Sequence, residues 1–134
     1  MTQKYIEDDL VRIKTEPNNL TPNKVVYKFV DYVAIDKVLI RTINGIDRLV
    51  EKDLIVPIPL TPKILSTNMF KIVRQDESGA LYFKDGLGID IVASYVRNCY
   101  DIYISGNKIL KDIKYCHELQ HFLFGIGLNS EMEV

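Results

Sequence analysis

Val38-Leu39-Ile40-Arg41-Thr42-Ile43-Asn44-Gly45-Ile46 decides the fold, because apolar, β-branched runs meet here at an Asn-Gly pair. That pair between such runs is the strongest short hairpin signal: a type I′ turn needs positive φ at both central residues, which Asn and Gly tolerate best. Outward from the turn, the period-two pattern continues. On the N-terminal side, residues 24–34 carry Val26, Phe29, Val30, Tyr32 and Val33, which supply a buried face. Val11 and Ile13 suggest a shorter strand, set off by a Pro-, Asn- and Thr-rich loop at 16–23 that contains Pro17 and Pro22. On the C-terminal side, residues 47–56 continue as one or two strands, and Pro57-Ile58-Pro59-Leu60 closes the segment in extended conformation. Four or five short strands in roughly fifty residues predict a small SH3-like β-barrel, with an open meander as the alternative.

Thr61 before Pro62 reads as an N-cap with proline at the first helical position, so a short linker helix is expected from Pro62 to about Asn68. The period then returns to two. Strands are expected over 70–74, 80–84, 89–95 and 100–104, punctuated by Ser78-Gly79, Asp85-Gly86 and Asn98 and ended by Ser105-Gly106-Asn107. An amphipathic helix at about 109–124, stopped by Gly125 and Gly127, completes the chain. The class is therefore α+β: a barrel lobe over 1–60, and a lobe of helix, antiparallel meander and closing helix over 61–134, together forming one compact unit.

At 134 residues, 47% hydrophobic and 26% charged with a net charge of -1, the chain is globular and has a real core. It lacks the basic excess of a protein whose affinity rests on phosphate contacts, so nucleic acid is not indicated as a partner. Cys99 and Cys116 have neither metal-knuckle nor disulfide-framework spacing and read as reduced thiols. No apolar run reaches the length of a membrane span, and Met1-Thr2-Gln3-Lys4 leads into acidic Glu7-Asp8-Asp9 without a signal-peptide core. These features predict a chain that stays in the cell that makes it, with no secretion and no membrane.

One local pattern names a chemistry. Cys116-His117-Glu118-Leu119-Gln120-His121 spells H-E-x-x-H with the only two histidines in the chain. On a helix this spacing sets two imidazoles one turn apart as zinc ligands, with Glu118 placed to activate a bound water. The helical projection nevertheless places Tyr115, Cys116, Leu119, Phe122, Leu123 and Ile126 on the docking face and turns His117 and His121 toward solvent, with Glu118 on the flank. A catalytic zinc also needs a third protein ligand. No other histidine exists, and Phe124 and Gly127 stand where a longer motif needs glycine and histidine. A carboxylate would have to serve, from Glu131, Glu133, Asp90 or Asp101. No metal and no cofactor is therefore the favoured expectation, with zinc the alternative.

Weaker patterns have structural explanations. Gly86-Leu87-Gly88 lacks the third glycine of a phosphate loop and leads into a strand, so a hairpin turn is expected. The tyrosines, among them Tyr32, Tyr82 and Tyr103, alternate within strands and suit half-buried sheet positions or an interface patch. Cys116 and His117 are sequence neighbours and diverge by ~100° on a helix, so a Cys-His nucleophile is not supported.

Two stretches, Pro57-Ile58-Pro59-Leu60-Thr61-Pro62-Lys63-Ile64-Leu65 and residues 113–124, resemble a family of small proteins encoded by phages and prophages of Bacteroides and related gut bacteria. That family has a P-I-P-L-T helix start and a closing helix of the form I-x-Y-x-H-x-L-Q. The resemblance implies the same order of elements over nearly the whole chain. It shares His117, Leu119 and Gln120, whereas the family has Asn at the position of His121 and often Gln at that of Glu118. H-E-x-x-H is then a product of substitutions on a packing helix, and no established activity comes with the family.

The expected function is non-enzymatic protein contact by a phage or prophage protein, through a barrel edge, a tyrosine-bearing sheet or the closing helix. His117, Gln120, His121, Tyr32, Tyr82 and Tyr103 are the candidate contact residues. Two roles fit: a minor virion or assembly component forming a homo-oligomer, or a factor that binds a host enzyme or defence protein. The alternatives are a zinc-dependent hydrolase using His117, His121 and Glu118, and a nucleic-acid-binding SH3-like module.

Overall fold

The computed structural model describes residues 4–14 and 25–134, so the expected loop with Pro17 and Pro22 lies outside the described residues. The chain divides into two compact units, one of residues 1–58 and 116–132 and one of residues 59–115 and 133–134. The closing helix thus groups with the N-terminal strands, not with the meander that precedes it in the chain. The content is mostly β, in two antiparallel sheets with two helices, an α+β arrangement.

The first unit holds β1 (Leu10–Ile13), β2 (Tyr27–Tyr32), β3 (Lys37–Arg41), β4 (Asp47–Glu51) and β5 (Ile55–Pro57), with a 3₁₀ turn at Lys52–Leu54. Their order is β4-β3-β2-β1-β5. The strand pairings do not close this sheet into a barrel. β3 and β4 pair in register through Leu39–Leu49, as the Asn-Gly signal requires. The turn itself is of another type than expected. Gly45 alone has positive φ, at +85°, and the Thr42 N–H and Ile46 C=O pair across it at 2.8 Å. This is the three-residue loop in which a type I turn ends on a left-handed glycine. The core gathers Tyr5, Val11, Tyr27, Phe29, Val38, Ile40 and Ile55, with Ile13, Tyr32 and Val50 packed against it.

In the second unit, α1 (Pro62–Thr67) begins as the sequence reading anticipates: Thr61 Oγ1 accepts the Ile64 N–H at 3.2 Å. Its end is a Schellman closure, with Phe70 N–H on Leu65 C=O and Met69 N–H on Ser66 C=O, and Met69 at φ +71°. The meander runs β6 (Lys71–Gln75), β7 (Gly79–Phe83), β8 (Ile89–Ser94), β9 (Cys99–Ile104) and β10 (Asn107–Ile113), paired strictly in that order. β10 corrects the expected start of the closing helix. Ser105 and Gly106 both have positive φ, 51° and 80°, so the I′ turn of this chain is here and sends 107–113 back along β9. The closing helix α2 is accordingly short, Cys116–Gly125, and belongs to the first unit.

Candidate functional site

Chemistry-bearing side chains of the first unit converge where the segment before β1 meets α2. Asp9 is only 2% exposed, and its backbone is fixed from two sides: its C=O accepts the Phe29 N–H at 2.8 Å and its N–H donates to Ile6 C=O at 3.1 Å. Its Oδ2 accepts the Ile6 N–H at 2.9 Å and lies 2.6 Å from His121 Nε2. One residue earlier on α2, Gln120 Oε1 accepts the Leu10 N–H at 3.0 Å, while its Nε2 donates to the carbonyls of Asp8 and Ser130, each at 3.2 Å. A single amide thus holds three main-chain groups, of which the Leu10 N–H is buried and would be left without a bond by an apolar residue.

His117 does not face solvent. It is 4% exposed, its ring 5.1 Å from Tyr5 and 5.5 Å from the His121 ring in an edge arrangement. The buried arc of α2 is Cys116, His117, Leu119, Gln120 and Leu123, whereas Phe122 is half-buried and Phe124 and Ile126 are exposed. Compared with the helical projection, the docking face is rotated by roughly a quarter turn toward the histidines. Hydrophobicity alone places polar residues outside; here Gln120 is drawn in by backbone groups and His117 by aromatic packing.

The electrostatics follow from burial. Desolvation pushes the His117 pKa down to about 4, helped by the neighbouring His121 and Lys4 charges and opposed by Glu118. Desolvation likewise raises the Asp9 carboxyl above its ordinary value, against the pull of the Ile6 N–H and His121. Cys116, beside them on α2, is buried, and burial pushes its thiol up to about 12, far from a thiolate nucleophile.

As a zinc site this arrangement is incomplete. His121 spends Nε2 on Asp9, and His117 is turned into the core. Among the described residues, the one set of three potential ligand atoms within 4.8 Å of one another is Cys99, Asp101 and Asp112, which includes neither histidine. That set is already held by cations: Arg97 reaches Asp101 at 2.7 Å and Asp112 at 2.5 Å, and Lys108 lies 3.5 Å from Asp101. Of the other carboxylates considered as ligands, Asp90 is half-buried on β8, Glu131 and Glu133 are exposed, and Glu133 is held through its backbone by Asn68.

The remaining candidate contact residues are distributed. Tyr82 is buried on β7, Tyr103 is half-buried on β9, and Tyr32 is half-buried with its hydroxyl accepting the Tyr5 N–H at 2.9 Å. Gly86-Leu87-Gly88 forms the turn between β7 and β8, as its sequence suggests. Asp9 is the residue that sequence reading missed. It ends the acidic run Glu7-Asp8-Asp9, and nothing local distinguishes it from its solvated neighbours. No helix among the described residues is long and apolar enough to cross a membrane. Comparison with protein-family models, with curated proteins and with solved structures gave no match.

Proposed function

We propose that this chain is a phage- or prophage-encoded protein that works by holding another protein and not by turning over a substrate. The observation that carries this is an uncovered sheet edge. β6 ends the second sheet, and all of its residues, Ile72 and Val73 included, are exposed. Conversely, the motif with the most catalytic look is engaged in the fold: His121 in its bond to Asp9, His117 in packing on Tyr5. The likeness of residues 57–65 and 113–124 to gut Bacteroides phage proteins supports the phage assignment and, with it, a place in the host cytoplasm or the virion.

The first unit is read as SH3-like in connectivity. Its strand order β4-β3-β2-β1-β5, the 3₁₀ turn between β4 and β5, and a bulge in β2 between Phe29 and Asp31 that bends the strand all suit such a barrel.

The test is paired. Gradient sedimentation of infected-cell lysate asks whether the protein travels with particles, and affinity capture asks which host protein it retains. Failure of both, together with about one zinc per chain that is lost in His117→Ala and in His121→Ala, overturns the contact reading in favour of a zinc hydrolase.

A further inference from the structure

We propose that the β6 edge takes an extended, acidic segment of a partner protein, added to the second sheet as a further antiparallel strand. This rests on the protein-contact reading and supplies the chemistry of the partner. An edge strand offers a row of backbone donors and acceptors, and among the described residues β6 has a strand neighbour on one side only, β7. Ile72 is 51% and Val73 62% exposed. At the start of the strand, a groove of about 400 Å³ is lined by Pro62, Ser66, Met69, Phe70, Ile72 and Tyr82, with Lys71 at its rim. Such a groove accepts one apolar side chain of an added strand.

Charge decides the kind of partner. Lys71 and Arg74 stand on β6, and Lys84 lies over the Phe70 ring at 5.5 Å from its centroid. Neither Lys71 nor Arg74 is in an ion pair among the described residues, although Arg74 lies in electrostatic reach of Asp76 just beyond the strand, which leaves Lys71 and Lys84 as the cations without such an acid described beside them. The same cations act in two directions: they crowd one another when two copies of β6 pair antiparallel, and they attract carboxylates on a foreign strand. The bulge at Val73, where Ile72 opposes Tyr82 and Arg74 opposes Leu81, also weakens flat self-pairing.

Asn68, which caps α1 just before Met69 and Phe70, accepts the Glu133 N–H at 2.8 Å and donates to the Glu133 C=O at 2.7 Å. The other edge of the sheet is less suited: β10 has two register breaks and a residue, Asp112, at φ 59°. For a single-stranded nucleic acid, Phe70 and Tyr82 are too buried to stack on, at 3% and 2% exposed, and Tyr95, 44% exposed and bonded through its hydroxyl to Gln75, is one isolated ring.

The experiment is an amide-resolved NMR titration of the full chain with a capped peptide alternating glutamate and valine. Its lysine–valine counterpart and single-stranded oligothymidylate are the comparators. The expected result is shifts centred on residues 71–75 with the acidic peptide, and affinity roughly tenfold above that of the basic one. The preference should invert in the double variant Lys71→Glu/Arg74→Glu. Equal response to both peptides, no response at 71–75, tighter binding of the oligonucleotide there, or a self-associated dimer through β6 each overturns the proposal. If the charge-reversed variant still retains the captured host protein, the contact reading stands and only this surface is lost.

Discussion

His121 Nε2 lies 2.6 Å from Asp9 Oδ2, joining residues 112 positions apart in sequence. With Gln120 on the same turn bonded to Leu10 and Asp8, it ties α2 to the segment that enters β1. His121 and Gln120 of the H-E-x-x-H helix thus join α2 to the segment before β1.

His117 sets a pH dependence whose sign is fixed. Its pKa falls from 6.5 to about 4 on folding, so the unfolded chain binds more protons between those values and stability falls as pH drops through that window. The loss is at most about 3 kcal/mol. Asp9 acts in the opposite sense: a raised folded pKa contributes stability at low pH that is lost as pH rises through it. Urea unfolding across pH 4 to 7 is expected to show a net acid-side decline, flattened in His117→Phe and steeper in Asp9→Asn. An unchanged slope in His117→Phe is incompatible with a buried neutral imidazole.

Gln120 is expected to matter more than either histidine at neutral pH. Gln120→Leu keeps the volume and orphans the buried Leu10 N–H, at a cost of about 2 kcal/mol. The denaturant midpoint should fall at constant m-value, and hydrogen exchange at the Leu10 amide should accelerate more than exchange at Ile40 in β3. Equal acceleration at both sites means that the amide contributes only to global stability.

How much of this was legible in the sequence depends on where the information lies. The 38–50 hairpin, the Thr61-Pro62 helix start and four meander strands were readable, because alternation and capping are local properties. β10 was not: its sequence Asn107-Lys108-Ile109-Leu110-Lys111-Asp112-Ile113 has no clean period of two. Bulges interrupt its register, and all but Ile113 are exposed, so packing imposes no pattern. The docking face of α2 was misjudged because Gln120 and His117 are buried by partners far away in sequence.

Arg97 is expected to hold the β9–β10 hairpin together. Burial raises the Asp101 carboxyl, but the Asp112 N–H at 3.0 Å, Arg97 and Lys108 outweigh it and leave its pKa below 3.8. A depressed folded pKa gives stability above 3.8 that is lost as pH falls through the folded value. Arg97→Gln leaves a buried carboxylate with Lys108 as its nearest cation, and the exposure of Arg97 to solvent screens and so limits the loss. The midpoint of acid unfolding should move to higher pH in the variant. An unmoved midpoint shows that the Asp112 N–H and Lys108 suffice.

Gly79 opens β7 for a reason of space and not of backbone conformation, since its φ is not positive. A Cβ built there comes 1.9 Å from the Ala93 carbonyl oxygen and 3.0 Å from its carbon, both main-chain atoms of the paired strand β8. A main chain held by ladder bonds on both sides does not move aside as a flexible side chain does. Gly79→Ala should therefore cost about 3 kcal/mol or more, while Gly86→Ala, in open space but at φ +79°, should cost about 1 kcal/mol. The two act through different physics, and thermal unfolding of both, with the β7–β8 amides followed by hydrogen exchange, separates them. Strain at Gly79 should loosen the ladder beside Ala93, which adjoins the β6 edge through β7, whereas strain at Gly86 should stay in its turn. A Gly79→Ala protein as stable as wild type is expected only if β7 and β8 pair in a different register from Gly79 opposite Ser94.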